Sequence, residues 1–175
     1  MPSMILLPDA DGAISGHWVA VGETNRWECL DDDNDGTSYV KTASPGRTMV
    51  IRFANPSVSE ADIDFDEDVG VQFLSSGRSM DRSNPSLVDI AFHLPRAGFS
   101  ETATYASSLS YTTQNGTVRI TEPGGTDWTY SNLEDLEMKC TKNGGYEVRL
   151  SYLALEVTYT AAAVTDNAVF FGANF

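Results

Sequence analysis

Apolar residues alternate with polar ones along several short segments of this chain, and this alternation is the feature that most restricts its fold. A period of two places every second side chain on one face of a β-strand, so each segment is predicted to be a half-buried strand. Helical periodicity is almost absent, which predicts an all-β fold built as an antiparallel two-sheet β-sandwich with one short helix. The clearest alternating residues are Val69, Val71 and Phe73, followed by Val88, Ile90 and Phe92.

Two glycine-containing segments predict turns between these strands. Gln114-Asn115-Gly116 predicts a type I′ hairpin turn joining strands at 104–113 and 117–121, because Asn-Gly accepts the two positive φ angles of that turn. Asn143-Gly144-Gly145 predicts a second turn, which leads into the long final strand.

The last third of the chain carries two further local signals. Within the final strand the apolar phase changes between Tyr152 and Leu153, which indicates a β-bulge or a strand covered on both faces. Ser131 and Glu134 fit a capping box and predict a helix of one or two turns, whose inward-facing residues would be Leu133 and Leu136.

The chain of 175 residues is long enough to bury a sandwich core without metal or disulfide support. We expect an N-terminal arm at residues 1–15, the β-sandwich domain at 16–160, and a C-terminal arm or edge strand at 161–175. Cys29 and Cys140 are expected to be free, buried thiols, and a disulfide between them is the alternative.

Several motifs follow one another in a distinctive order: His17-Trp18-Val19-Ala20-Val21, Trp27-Glu28-Cys29-Leu30, the aspartate-rich run 31–35, Ser38-Tyr39-Val40, Ile51-Arg52-Phe53-Ala54-Asn55-Pro56-Ser57, Gly125-Thr126-Asp127-Trp128-Thr129, and the closing strand from Val148 to Tyr159. This order resembles the jelly-roll virion structural proteins of tailed bacteriophages, found as decoration, head or tail-associated components. The resemblance covers roughly residues 16–160, and it implies a jelly-roll topology and a virion role.

The charge balance is strongly acidic, with 25 Asp and Glu against 11 Lys and Arg and a net charge of −14. Such a surface repels phosphate backbones and anionic lipids, so neither nucleic acid nor membrane is an expected partner. The only early apolar run, Met4-Ile5-Leu6-Leu7, is too short for a membrane span and lacks the flanks of a signal peptide.

The run Asp31-Asp32-Asp33-Asn34-Asp35-Gly36 has carboxylates at the first, third and fifth positions before a glycine, as calcium loops do. Asp31, Asp33 and Asp35 are therefore candidate calcium ligands, and calcium is the one cofactor considered. The EF-hand pattern is not met, because Thr42 occupies the twelfth position. A solvated turn between strands is the alternative interpretation.

No catalytic residue is expected. The run Asp62-Ile63-Asp64-Phe65-Asp66-Glu67 approximates the carboxylate strand of retaining β-glucanases, but Asp62 stands where the nucleophilic Glu belongs. An outward-facing acidic strand edge is the preferred interpretation. His17 and His93 have no nucleophile or metal-ligand partner nearby in sequence.

Both termini carry more apolar side chains than loose ends should, which predicts a partner interface. Folding back of both ends onto their own domain is the alternative. The candidate interface residues are Ile5, Leu6 and Leu7 at the N-terminus and Val169, Phe170, Phe171 and Phe175 at the C-terminus.

Two functions follow as expectations. The first is a capsid decoration or cement protein on the virion surface, assembled in the host cytoplasm, which binds the major capsid protein or forms a homodimer or homotrimer. It is favoured because the sequence reads as one small domain beginning at Met1, without a stalk. The second is a carbohydrate-binding, receptor-recognition sandwich module on a tail or fibre, which would depend on calcium if Asp31, Asp33 and Asp35 hold the ion. It would expose Trp27, Tyr39 or Trp128 beside the aspartate-rich loop.

Overall fold

The computed structural model describes residues 1–15, 18–31, 37–81, 84–94, 97–105 and 110–163. Within these ranges the chain is almost entirely antiparallel β-structure. The elements are β1 (Ser3–Leu6), β2 (Pro8–Ser15), β3 (Val19–Val21), β4 (Tyr39–Thr42), β5 (Thr48–Phe53), β6 (Ile63–Asp64), β7 (Gly70–Ser79), β8 (Ser86–Leu94), β9 (Ala97–Tyr105), β10 (Thr112–Asn115), α1 (Tyr130–Glu134), β11 (Glu137–Gly144), β12 (Val148–Thr158) and β13 (Thr160–Ala161).

Two main sheets face each other across one core. Sheet A has the order β10-β7-β12-β4-β3, with β1 also paired to β12, and sheet B has the order β2-β5-β11-β8-β9. The predicted strands around Val71 and Val88 are present as β7 and β8, and their alternating residues are buried between the sheets. The predicted two-sheet sandwich with one short helix is confirmed.

Strand β12 lies at the centre of sheet A. It pairs with β7 along almost its whole length, while its other edge pairs first with β4 and then with β1. A register shift between Leu150 and Tyr152 makes Ser151 an extra residue, which confirms the predicted bulge slightly upstream of the phase change. The bulge lets Leu150 and Leu153 both face the core.

The first fifteen residues form part of the sandwich instead of an arm. Strand β1 pairs with β12 in sheet A, and β2 pairs with β5 in sheet B. Met4 and Leu6 alternate into the core, where both are buried. Burial of these side chains against the chain's own sheets explains the apolar N-terminus.

The predicted hairpin at Asn115-Gly116 is wrong. Residues 112–119 run along the edge of β7 in one direction, because Gly116 donates to the Phe73 carbonyl at 2.9 Å and Arg119 pairs with Val71. Gly116 does not have the positive φ that a type I′ turn requires. Its lack of a side chain instead makes room for the ring of Phe73.

The second predicted turn and the helix are present, each with a correction. Gly145 has a φ of 77° and lies in the turn between β11 and β12. These two strands belong to different sheets, so the turn is not a hairpin of the predicted kind. Thr129, and not Ser131, caps α1: its side chain accepts from the Asn132 amide, and the Asn132 side chain accepts from the Thr129 amide. The cap therefore begins two residues earlier than the Ser-x-x-Glu pattern predicts, and Leu133 faces the core as expected.

The two cysteines are free and buried, which confirms the preferred prediction. Burial raises the pKa of the Cys140 thiol to about 12, so this sulfur stays protonated at neutral pH. Among the described residues, no helix has the length and apolar character needed to cross a membrane.

Glu122 organises the loop that precedes α1. Its carboxylate accepts hydrogen bonds from the Gly124 amide at 2.6 Å and from the amide and hydroxyl of Thr126 at 3.2 and 2.9 Å. These donors hold the pKa of Glu122 below its ordinary value of 4.5. The loop in turn precedes Trp128, which is buried and donates to the Arg119 carbonyl at 3.0 Å.

Replacement of Gly116 by alanine tests the edge pairing against β7. A Cβ at this position would lie 2.4 Å from Cδ1 of the buried Phe73 ring, so Gly116→Ala is expected to cost about 1–3 kcal/mol through overpacking. Gly144→Ala is the control, since its nearest neighbour would be 4.0 Å away. Urea unfolding of both variants measures the difference, and equal stabilities would contradict the packing described.

Glu122→Gln tests the loop by its pH dependence. Because the folded-state pKa lies below the unfolded value, the carboxylate stabilises the fold above pH 4.5 and loses this effect as the pH falls through the folded pKa. The variant should be less stable than wild type at pH 7, and the gap should shrink below pH 4.5. Urea unfolding at pH 7 and pH 3 checks this, with the exposed Glu60→Gln as the control; a gap as large at pH 3 as at pH 7 contradicts it.

Candidate functional site

The predicted calcium loop lies mostly outside the described residues. Asp31 is described and is half-buried, whereas Asp33 and Asp35 fall in the range 32–36 that the structure does not describe. Among the described residues, no group of three or more His, Cys, Asp or Glu is arranged to hold a metal ion. Calcium binding by Asp31, Asp33 and Asp35 stays a prediction.

The predicted partner interface divides into three parts. Leu6 is buried in this chain's own core and is not available to a partner, which corrects its assignment to the interface. Ile5 and Leu7 are exposed, because they alternate outward along and just after β1. The C-terminal candidates Val169, Phe170, Phe171 and Phe175 lie outside the described residues.

The three aromatic residues expected beside the loop do not form one exposed patch. Trp128 is buried with its indole hydrogen-bonded, and Trp27 is half-buried in a 3-10 turn that Asp11 anchors through the Trp27 amide at 3.0 Å. Only Tyr39 lies in a sheet, where it is half-buried at the start of β4.

The acidic run 62–67 does not form the carboxylate strand of a β-glucanase. Strand β6 ends at Asp64, and a turn follows in which the Asp64 carboxylate accepts from the Asp66 amide at 3.1 Å. Asp62 lies in the preceding 3-10 turn and accepts from the Ser59 hydroxyl. The side chains of Asp62 and Glu67 therefore do not alternate along one strand face, as that mechanism requires.

Of the two histidines, His17 lies outside the described residues. His93 belongs to β8, where its backbone is in register with Glu137 of β11.

Strand register brings three cationic residues into one row on the outer face of sheet A. Arg149 of β12 is in register with Lys41 of β4 on one side and with Arg78 of β7 on the other. All three alternate with buried neighbours, so their side chains point away from the core. Tyr111 extends this row, since the next residue, Thr112, is in register with Gly77.

Two tyrosines lie against the arginines of this row. The guanidinium carbon of Arg149 is 4.6 Å from the centre of the Tyr39 ring, and that of Arg78 is 4.8 Å from the centre of the Tyr111 ring. These are cation–π contacts, which hold each guanidinium group in a fixed orientation. Burial raises the pKa of Tyr111, and the nearby Arg78 and Arg149 lower it by less.

Glu147 provides the acidic partner on this face. Its carboxylate accepts from Nε of Arg149 at 3.0 Å and lies 4.0 Å from Nζ of Lys41. We refer to the set as the outer-face cluster, which comprises Tyr39, Lys41, Arg78, Tyr111, Glu147 and Arg149. The cluster brings three cationic side chains together in a protein of net charge −14.

Two cations of the cluster are less exposed than the arginine on the opposite outer face. The side chains of Arg149 and Lys41 are 20% and 34% exposed, whereas Arg52 on the outer face of sheet B is 62% exposed. Arg52 pairs with Glu137 at 2.7 Å beside a cleft of about 650 Å³, whose further lining includes Asp9, Glu134 and Asp135. The lining of this cleft is mainly acidic, whereas the outer-face cluster carries three cationic side chains.

The chemistry of the outer-face cluster is that of a binding surface. Guanidinium and ammonium groups donate hydrogen bonds to oxygen atoms, and the tyrosines contribute aromatic rings. A few oriented polar groups beside aromatic rings are common in ligand-binding sites. Of the cluster, only Tyr39 could be identified from the sequence, because the row depends on pairing between segments that lie far apart in the sequence.

No protein-family model matches this sequence, and the search among curated proteins found no match. Solved structures do share its fold. The chain is similar to part of the Agl-KA catalytic domain, with 15% identity and a TM-score of 0.51 over 97% of this chain and 30% of that chain. The chain therefore spans about a third of that structure, and the likeness extends to the fold alone.

Two smaller sandwich domains are also similar at lower scores. One is the CBM36-1 domain of a multidomain xylanase from the hindgut metagenome of Trinervitermes trinervoides, with 12% identity, a TM-score of 0.49, and coverage of 91% of this chain and 98% of that chain. The other is a family 11 carbohydrate-binding module from Clostridium thermocellum in complex with a β-1,3-1,4-mixed-linked tetrasaccharide, with 12% identity, a TM-score of 0.41, and coverage of 93% and 90%.

Truncation of Arg149 tests whether the cluster is organised as described. Arg149→Ala removes the contact with Tyr39 and the ion pair with Glu147 at a partly buried site, and should cost about 1–2 kcal/mol of unfolding free energy. Arg52→Ala removes an exposed pair and should cost less than about 0.5 kcal/mol. Urea unfolding compares the two variants, and equal losses would contradict the difference between the faces.

Proposed function

We propose that this protein is a carbohydrate-binding module whose ligand lies on the outer face of sheet A. The observation that carries the proposal is the outer-face cluster, in which two tyrosine–arginine contacts hold hydrogen-bond donors in place on the sheet surface. The sandwich supplies a rigid support, because the cluster residues on β4, β7 and β12 belong to three paired strands.

Sugar chemistry fits these groups. A pyranose ring presents hydroxyl and ring oxygens around its edge, which accept hydrogen bonds from the guanidinium groups of Arg78 and Arg149. Its C–H faces are apolar and pack against flat surfaces such as tyrosine rings and guanidinium planes. Because the arginines are already fixed by Tyr39 and Tyr111, less side-chain entropy is lost when a ligand binds.

The activity proposed is binding without hydrolysis. Retaining and inverting glycosidases need two carboxyl groups on either side of the scissile bond. The outer-face cluster contributes one carboxylate, Glu147, and that group is engaged by Arg149 and Lys41. A carboxylate held between two cations is poorly suited to act as a general acid.

Attachment to a larger particle is a second proposal, and it retains the decoration role expected from the resemblance to virion proteins. The observation in its favour is that Ile5 and Leu7 remain exposed although their neighbour Leu6 is buried. A capsid protein or a second copy of the chain would remove this apolar surface from water.

A polysaccharide panel tests the carbohydrate proposal. Affinity electrophoresis of the full chain through gels containing neutral and acidic polysaccharides should show retardation by at least one of them. Tyr39→Ala and Tyr111→Ala should each weaken that retardation, because each removes part of the binding surface and frees one arginine.

The matched control for this panel is Arg52→Ala, on the opposite face of the sandwich, which should migrate as wild type does. Circular dichroism of each variant separates loss of binding from loss of fold. Unretarded migration of the folded protein in every gel would refute the proposal.

A further inference from the structure

Two exposed aliphatic side chains project from the segment that follows β10 along the edge of sheet A. Val118 is 49% exposed and Ile120 is 56% exposed, although the backbone of Arg119 between them pairs with Val71 of β7. This pairing fixes the backbone on both sides, so the exposure of the two side chains is a property of the folded sheet.

Phe65 lies close to these two residues. It is half-buried, and it lines the same cavity of about 80 Å³ as Ile120, with the buried Trp128 in the cavity wall. We refer to Phe65, Val118 and Ile120 as the edge patch. Apolar side chains that lie together on a surface in this way indicate a place that another apolar group covers.

Gly70 shows that the edge patch lies beside the end of β12. A Cβ added to Gly70 would lie 2.8 Å from Cγ1 of Val118 and 2.6 Å from Oγ1 of Thr158. Val118 and Thr158 therefore flank the same glycine of β7 from its two sides. Because β12 ends at Thr158, the chain leaves sheet A next to the edge patch.

The last described residues run beside the segment that leads into the edge patch. Ala161 of β13 is in register with Ile63 of β6. Phe65 follows directly after β6 and lines the cavity with Ile120. The part of the chain beyond Ala163 thus begins near the edge patch.

We infer that the run Val169-Phe170-Phe171 of this chain packs against the edge patch and covers Val118 and Ile120. This inference goes beyond the proposed carbohydrate binding. It assigns these C-terminal side chains to their own domain, which is the alternative to the partner interface expected from the sequence.

The length of chain between the two places permits this packing. Five residues lead from Thr158 to Ala163, so these positions are at most about 18 Å apart. Seven further residues lead to Phe170, and they span up to about 25 Å when extended. Phe170 can therefore return to Val118 without any rearrangement of the sandwich.

The chemistry of the run suits the edge patch. Its three residues are consecutive apolar side chains, and Asp166 is the one charged residue between positions 164 and 171. Contact of the two aromatic rings with Val118 and Ile120 removes apolar surface from water on both sides. The carboxylates of residues 66–68 are exposed, so they stay solvated at the rim of the contact.

The edge patch is separate from the outer-face cluster. Gly70 and Arg78 stand at opposite ends of β7, about 27 Å apart at the usual rise of a strand. Packing of the C-terminal run beside Gly70 therefore leaves the proposed carbohydrate surface accessible. Each of the two proposals can fail without the other.

A double-mutant cycle on the full chain tests the packing. One change is Val118→Ala, and the other is Phe170→Ala combined with Phe171→Ala. Each should lower the urea concentration at the unfolding midpoint. The combined variant should lose less than the sum of the separate losses, because the second change removes a contact that the first has already weakened.

Val19→Ala is the matched control. Val19 is 46% exposed and belongs to β3 of the same sheet, where it is in register with Lys41. Its loss should add in full to that of the phenylalanine changes. Circular dichroism establishes that each variant is folded before the midpoints are compared.

The mass of each protein by light scattering identifies what covers the edge patch. Losses that are not additive in a monomer support the inference. Additive losses for Val118→Ala and the phenylalanine changes refute it. Losses that are not additive in a dimer would assign the contact to a second copy of the chain, and they would overturn the packing within one chain.

Discussion

The pairing of β12 with β7, interrupted by the bulge at Ser151, is the constraint on which the rest of sheet A depends. Side chains of a regular strand alternate between its two faces, so without an extra residue Leu150 and Leu153 would point to opposite faces. The bulge restores Leu153, Leu155 and Val157 to the core after Leu150. The bulge also divides the outer face of β12 into two parts, because Arg149 lies before the bulge and Glu156 lies after it.

The two halves of β12 pair with different strands on the edge that does not contact β7. The first half pairs with β4, which brings Lys41 beside Arg149 and Tyr39 within contact of the guanidinium group. The second half pairs with β1, whose residue Ile5 lies in register with Glu156. The proposed carbohydrate surface and the exposed apolar residues of the N-terminus thus belong to one sheet but to opposite ends of its central strand.

Local sequence patterns predicted the individual strands better than they predicted which strands pair with one another. The alternation around Val71 and Ile90 predicted β7 and β8 because burial between two sheets requires it. Asn115-Gly116 led to a wrong prediction because its turn preference describes only the backbone conformations that these two residues adopt locally. Backbone hydrogen bonds from residues 112–119 to β7 outweighed that preference, and the space left by Gly116 is filled by Phe73.

The outer-face cluster shows why a binding surface on a sheet is harder to predict than its strands. Lys41, Arg78 and Arg149 each occupy an outward position of a predicted strand, where a charged residue is ordinary. Only the register of β4, β12 and β7 places them side by side, and register is fixed by the whole sandwich. In that arrangement Glu147 and the two tyrosine rings contact the cations of the row and reduce the repulsion between them.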